Sequence, residues 1–278
     1  MLDAVRIGTS GWTYPTWRTV FYPPGLTHRL ELDYIGRRFN SVEINATFYR
    51  LQRLETFRRW HAETPGGFVF AVKGSRFITH RKQLGDIEAA LANFLASGVL
   101  LLGEKLGPFL WQLPERMRFD RDRLARFLDR LPADMETAAR LARGYTGIVE
   151  GRSWTEAIVE GPLRHALEVR NLSFQTQDFF DLLRERRVAL VSSDAPGWPR
   201  FDTLTTDFAY ARLHGAEELY ASGYAEADLD AWADRVRGWN ARGARTVFVY
   251  FDNDARVHAP FDALSLAQRF ATERQNAG

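Results

Sequence analysis

The chain has 278 residues, 45% of them hydrophobic, a formal net charge of +2 and no cysteine. That is enough apolar material for one large core or two modest ones. No apolar run approaches the ~20 residues that span a bilayer, and disulfides, thiolate metal sites and cysteine nucleophiles are excluded.

The start, "MLDAVRIGTSGW", enters a strand pattern with no basic-then-apolar leader, so a cytoplasmic protein with no membrane partner is expected. Short runs rich in β-branched and aromatic residues then alternate with longer amphipathic segments. The first strand is "VRIGTS" (5–10), followed by a helix from about 29 to 39 whose Leu30, Tyr34 and Ile35 form one stripe. "SVEIN" (41–45) is the second strand and 54–63 a helix; "FVFAVKG" (68–74) is the third strand and 86–98 a helix stopped by Gly98. "LGPFLWQLP" (106–114) is the fourth strand, and 120–131 a helix with Asp120 at its start. Residues 132–164 are irregular around one helix, "METAARLAR". "HALEVRN" (165–171) is the fifth strand, 176–187 a helix, "VALVSSD" (188–194) the sixth strand, and "PGWPRFDTLTT" a loop. "FAYARLHG" (208–215) is the seventh strand, 226–243 a helix, "RTVFVYFDND" (245–254) the eighth strand, and "FDALSLAQRFATE" the last helix.

Eight strands, nearly all followed by a helix, predict an α/β protein with a TIM-type (β/α)8 barrel. An open doubly wound sheet would carry a Gly-rich phosphate turn after its first strand, and "GTSGW" leads into aromatic residues instead. No repeat or linker divides the chain, so one domain over 1–278 is expected, with an irregular helical insertion at about 132–164.

Strands of a parallel barrel are buried on both faces and should be almost wholly apolar. Alternate residues face the interior, and barrel active sites lie at the strand C-termini. The polar exceptions fall on one parity: Glu43 and Asn45, Lys73, Gln112, Glu168 and Arg170, Ser192 and Asp194, then Tyr210, Arg212 and His214. The other parity is apolar, as in Val42/Ile44, Phe70/Val72, Leu167/Val169 and Ala211/Leu213. The polar set therefore reads as inward, with Glu43, Lys73, Gln112, Glu168, Asp194 and Arg212 in a lower ring and Asn45, Arg170 and His214 above it. A buried charge without a partner costs several kcal/mol, so the acids and bases should pair; such a network can be structural as well as catalytic.

Glu43 and Glu168 are candidate acid/base groups and His214 a candidate proton carrier. Only three lysines stand among 34 arginines. Lys73 is then a candidate where an amine is wanted, most simply as an anion-binding cation. Glu43, Glu168, Asp194 and His214 resemble the carboxylate-plus-His sets of metal-dependent barrel isomerases. The cations in the same rings oppose that, and no metal or other cofactor is expected. Aromatic residues gather near the same strand ends: Trp12, Tyr14, Trp17, Phe48, Tyr49, Trp111, Trp198, Tyr220, Tyr224 and Phe251.

"GTSGWTYPTWRTVFYP", "VEINATFYRL", "FVFAVKGSRFITH", "LGPFLWQLP", "ALEVRNLSF", "YARLHG" and "VYFDNDA" resemble, in this order, the motifs of the YecE-like family, domain of unknown function 72. The resemblance runs over about residues 5 to 255 and implies a TIM-type barrel with no established activity. It places motif positions on Trp12, Glu43, Asn45, Tyr49, Lys73, His80, Gln112, Glu168, Arg170, Arg212 and His214. Asn171 and Phe174 stand where the family often has His and Trp, and Asp252 precedes Asn253 and Asp254 where it usually has Asn-Asn-Asp; the latter adds an acid at the mouth.

The leading expectation is an enzyme doing acid/base chemistry on a small polar, anionic or sugar-like substrate. Glu43, Lys73, Glu168 and His214 would be catalytic. Trp12, Asn45, Tyr49, His80, Gln112, Arg170, Asp194, Arg212 and Asn253 would bind substrate. Alternatives are a metal-dependent isomerase or phosphodiesterase, by barrel analogy, and a non-catalytic nucleic-acid or ligand-binding protein. The interleaved acids argue against nucleic acid, which wants a clustered basic patch.

Overall fold

The computed structural model describes residues 5–276; residues 1–4, part of the stretch on which the expectation about a leader was drawn, lie outside the described residues. In chain order the elements are β1 (Val5–Thr9), α1 (Glu31–Gly36), β2 (Ser41–Ile44), α2 (Ala46–Tyr49), α3 (Leu54–Ala62), β3 (Val69–Lys73), α4 (Glu88–Ala96) and β4 (Leu106–Gln112). There follow α5 (Arg121–Leu128), α6 (Met135–Ala142), β5 (His165–Glu168), α7 (Gln177–Glu185), β6 (Ala189–Asp194), β7 (Phe208–Leu213), α8 (Glu226–Ala241), β8 (Thr246–Phe251) and α9 (Ala259–Asn276). The strands form one sheet in the order β1-β8-β7-β6-β5-β4-β3-β2. The fold is the TIM-type (β/α)8 barrel that the alternation predicts.

Helix starts follow local chemistry. Asp120 accepts from the Arg123 amide at 3.0 Å, Asp134 from Thr137 at 2.7 Å and Thr176 from Phe179 at 3.2 Å, each satisfying a first-turn N–H that has no intrahelical partner. Between 132 and 164 the described structure is α6, a 3-10 turn at Gly147–Val149 and an isolated antiparallel bridge between Asp134 and Pro162. Among the elements not anticipated from the sequence are the one-turn helix α2 immediately after β2 and a π turn at Phe77–Arg81 after β3.

The chain divides into two compact units, residues 1–43 with 189–278, and residues 44–188. In the first, β6, β7, β8 and β1 pair in parallel, with Ser193 opposite Arg212, Arg212 opposite Tyr250 and Tyr250 opposite Gly8. A bridge between Ser10 and Glu43 ties β2 to β1. Gly8 is required by this approach, since a Cβ there would lie 1.9 Å from the Ser41 carbonyl oxygen. In the second unit β3, β4 and β5 pair in parallel, with Lys73 opposite Leu110, Leu110 opposite Ala166, and Gln112 opposite Glu168.

The opposite parity of β4 and β5 faces helices. Trp111, expected among the aromatic residues at the strand ends, stands edge-on to Phe127 of α5 with centroids 5.4 Å apart. Its Nε1 donates to His165 Nδ1 at 3.1 Å, while His165 Nε2 lies 2.8 Å from the Pro132 carbonyl oxygen. These two bonds require the neutral tautomer with its proton on Nε2, because a proton on Nδ1 would face the Trp111 N–H. Lys105, one of the three lysines, also has a structural task. Its Nζ reaches the carbonyls of His61 (2.6 Å) and Thr64 (2.7 Å) and the Thr64 hydroxyl (3.2 Å), satisfying chain ends just past α3. An ammonium with three donors fits three acceptors where a planar guanidinium would not.

Burial pushes His165 from 6.5 down to about 4. A depressed folded value means that the neutral ring contributes fully above pH 6.5, and the contribution is lost as pH falls toward about 4. Some 2.5 pH units correspond to about 3 kcal/mol. Urea unfolding between pH 7 and pH 4 should show a loss of that order, and His165→Phe should have a visibly shallower dependence; an equal slope in both proteins would refute the assignment.

Candidate functional site

In the first unit, strand period 2 sends Tyr210, Arg212 and His214 to one face of β7. Glu43, fully buried, meets them there. Its Oε2 accepts from the Tyr210 hydroxyl at 2.5 Å and from Arg212 Nε at 3.2 Å. Its Oε1 accepts from Arg212 Nη2 at 2.9 Å and from the Ser10 hydroxyl. Arg212 Nη2 also reaches Asp252 Oδ2 at 2.9 Å, and His214 Nδ1 lies 3.1 Å from that same oxygen. Arg212 Nη1 lies 3.5 Å from His214 Nε2. The Arg212 and His214 side chains are fully buried, and the His214 ring is held between Trp198 (5.1 Å) and Tyr220 (5.4 Å). One rung below, the Ser41 and Tyr250 hydroxyls share a 2.6 Å bond.

Glu43 therefore has donors on both oxygens and acts as a fixed anion against Arg212. Burial, and the Glu43 carboxylate beside it, raise the Tyr210 phenol well above its ordinary value, so it donates as a neutral group. At the strand-eight end, burial and the neighbouring Asp252 carboxylate raise Asp254 from 3.8 to about 6.

One placement is corrected in this unit. Asp194 was placed in the ring with Glu43, but the register sets Ser193 level with Arg212. Asp194 thus lies on the helix side, bonded to Trp232 Nε1 of α8 at 3.0 Å and to Arg200 at 3.1 Å. A one-residue slip exchanges the two faces of a strand. The Ser193 hydroxyl takes the inward place, buried and without a hydrogen-bond partner among the described residues. Asn253, expected at the substrate, is fully buried and donates from Nδ2 to Asp262 (2.8 Å) and to the Ser222 carbonyl (2.9 Å), anchoring the start of α9. Trp12 is buried, and its carbonyl accepts from the Tyr22 hydroxyl at 2.5 Å. Ser10, Tyr210 and Asp252 complete the network and were absent from the expected site. Asp252 alone carried a signal, the extra acid in "FDND".

In the second unit the polar residues gather around Phe48. Asn45 precedes α2, and the turn that follows presents Phe48 and Tyr49. Lys73 Nζ lies 4.4 Å from the Phe48 ring centre, the His80 ring stands edge-on at 5.2 Å, and the Tyr49 ring at 5.1 Å. Lys73 over an aromatic face is a cation–π arrangement. Arg76 lies 6.0 Å from the Tyr49 ring, which is 67% exposed. Glu168, fully buried, accepts from Arg170 Nε at 2.8 Å and Nη2 at 2.7 Å. Gln112, level with Glu168, donates weakly to the Leu113 carbonyl at 3.4 Å.

His80 rides on the π turn, its Nδ1 2.8 Å from the Thr79 hydroxyl. Burial first, and then the cations Lys73, Arg170, Arg76 and Arg116, hold it below its ordinary value of 6.5. At neutral pH the ring is uncharged. Where Nδ1 donates to Thr79, Nε2 presents a lone pair. The sequence places His80 near the strand ends but assigns it binding only, because the cations around it come from three separate segments, at or after the ends of β3, β4 and β5. Among the described residues no group of three His, Asp or Glu side chains is placed to hold a metal ion.

The family model described as "Protein of unknown function DUF72" matches residues 6–277. The UPF0759 protein YecE of Escherichia coli K12 is 30% identical over 131 residues, 47% of this chain and 45% of that protein, so the match spans less than half of the relative's length. A DUF72 family protein from Thermotoga maritima MSB8 superposes with a TM-score of 0.76 at 25% identity, covering 96% of this chain and 99% of that one. Another, from Enterococcus faecalis V583, superposes with a TM-score of 0.73 at 18% identity, covering 96% and 95%. At that identity the second likeness concerns the fold alone.

Removing one partner of a buried ion pair leaves the other charge uncompensated, at a cost of about 3–5 kcal/mol. Glu43→Ala should lose stability of that order in urea unfolding. A loss below about 1 kcal/mol would show that Arg212 does not depend on Glu43.

Proposed function

Because the chain belongs to the DUF72 family, whose description assigns no activity, we propose that it is an enzyme performing acid/base chemistry on a small anionic substrate at the Phe48 cluster. The observation that carries this reading is the gathering of Lys73 and His80 on the Phe48 ring, inside a field dominated by cations. Lys73 is nearly buried and Arg170 has 11% of its side chain exposed. Cations drawn partly out of water attract an anion far more strongly than freely hydrated ones.

In this reading Lys73 and Arg170 hold the anionic group of the substrate, with Glu168 fixing the guanidinium plane of Arg170. His80 Nε2 takes a proton from the bound substrate, and the same cations that lower its proton affinity keep the ring uncharged and ready to accept. They also stabilise negative charge as it develops on the substrate. Gln112 and Tyr49 supply neutral polar contacts beside it. Glu43, Arg212 and His214, proposed from the sequence as proton-moving or substrate-binding groups, serve here as positioning residues in the buried network of the first unit.

Titration calorimetry against a panel of small carboxylate and phosphate anions should find saturable binding that Lys73→Ala weakens about 30-fold or more, the worth of one or two charge-assisted bonds, with its circular dichroism unchanged. Equal affinity in the variant would refute the role of Lys73. Turnover of any substrate should rise with pH through an inflection below 6.5 as His80 sheds its proton. Anion affinity should move the other way, strengthening as the ring gains charge at lower pH. His80→Gln should keep binding and lose turnover.

A further inference from the structure

The loops after β3 and β4 enclose a groove of about 490 Å³ whose lining includes Gln83, Arg116, Arg118, Phe119, Asp120 and Arg123. Three guanidinium groups face this one concavity, and its single acid is already engaged. Asp120 caps α5 by accepting from the Arg123 amide at 3.0 Å, with Arg123 Nη2 3.7 Å away. Arg116 and Arg118 make no ion pair or side-chain hydrogen bond among the described residues, and the Gln83 amide likewise has none.

The walls are built firmly. Phe119 of the lining packs on Phe174 (5.6 Å) and Phe179 (5.5 Å), and its amide donates to the Ser173 hydroxyl at 2.9 Å. On the β3 side, Gln83, Leu84 and Asp86 hold left-handed backbone angles, with φ of 48°, 70° and 45°. For residues other than glycine this conformation costs roughly 1 kcal/mol or more each, and it persists where the surroundings enforce it. The strain directly follows the π turn that carries His80, and π turns recur at functional sites. Arg116 belongs to both places, since it is also among the cations acting on His80.

We propose that this groove is a phosphoryl-binding subsite, so that the substrate is a small phosphate ester. Its phosphate would lie among Arg116, Arg118 and Arg123, and its reacting anionic end at Lys73 and Arg170. This rests on the reading of the Phe48 cluster as the reaction site. Planar guanidinium forks match phosphate oxygens in pairs, and the Gln83 amide adds a neutral donor. The volume accommodates a phosphate with several attached heavy atoms. A volume of about 490 Å³ suits a small molecule, and the neighbouring acid disfavours a polyanion.

Inorganic phosphate is the probe, followed by phosphorus NMR and calorimetry at constant ionic strength. The wild type should bind phosphate at two places. Arg118→Ala with Arg123→Ala should weaken the groove site at least tenfold and leave the Lys73 site in place. Lys73→Ala should do the reverse. Arg81→Ala with Lys82→Ala, two exposed cations on the same loop, should change neither. Phosphate binding unaltered by the Arg118/Arg123 pair, or equally weakened by the Arg81/Lys82 pair, would overturn the subsite while leaving the Lys73 reading standing. Binding unaltered by Lys73→Ala but lost with the arginines would overturn the parent reading alone, and a wild type that binds no phosphate would overturn the subsite.

Discussion

A carboxylate closed off from water must be compensated inside the protein, and Glu43 is compensated by two donors from β7 and one from the residue just past β1. Ser10, Tyr210 and Arg212 converge on its two oxygens. Desolvating an ion costs several kcal/mol, and only good geometry with further hydrogen bonds returns it. Much of the first unit follows from that demand. Arg212 is fixed by Glu43, and it in turn fixes Asp252, which faces His214. The His214 ring can then adopt one orientation between Trp198 and Tyr220. Below the pair, Gly8 lets β1 come against the Ser41 carbonyl, and the Ser41–Tyr250 bond closes the layer.

In the second unit the charges are arranged around His80. Its Glu168 engages Arg170, but Lys73, Arg76 and Arg116 extend the positive field to His80. An ion-pair network that neutralises itself resists change. In the proposed reading, several cations acting on one ring favour a partner that brings the opposite sign. The short helix α2 makes the difference, because it turns the chain at once after β2 and sets Phe48 where Lys73 and His80 both meet it. Extended chain at that point would separate those groups.

The alternation of polar and apolar residues along β2, β3, β5 and β7 was readable because such strands are buried on both faces, so a charged residue marks its side plainly. Glu43 and Arg212, and Glu168 with Arg170, meet as that pattern implies. The same reasoning failed on β6. "VSSD" offers polar residues on both parities, and only its pairing with β7 shows that Ser193, and not Asp194, shares the Arg212 side. Asn253 lies beyond the end of β8, where strand parity does not apply and only the tertiary contacts show that it bonds Asp262 and the Ser222 carbonyl. Trp111 was misplaced against the parity rule itself, since its neighbours Leu110 and Gln112 had already been read as inward.

What the sequence by itself determined is local: eight strands separated by helices, the capped helix starts, and the parity of the strongly polar strand residues. These follow from backbone geometry and from whether a side chain tolerates burial, properties that each segment carries alone. The tertiary structure decided which charged groups meet, the neutral state of His80, and the shape of the groove beside it. Such quantities depend on distance and on the exclusion of water between groups far apart in the chain, 169 positions for Arg212 and Glu43. No local pattern encodes that separation in space.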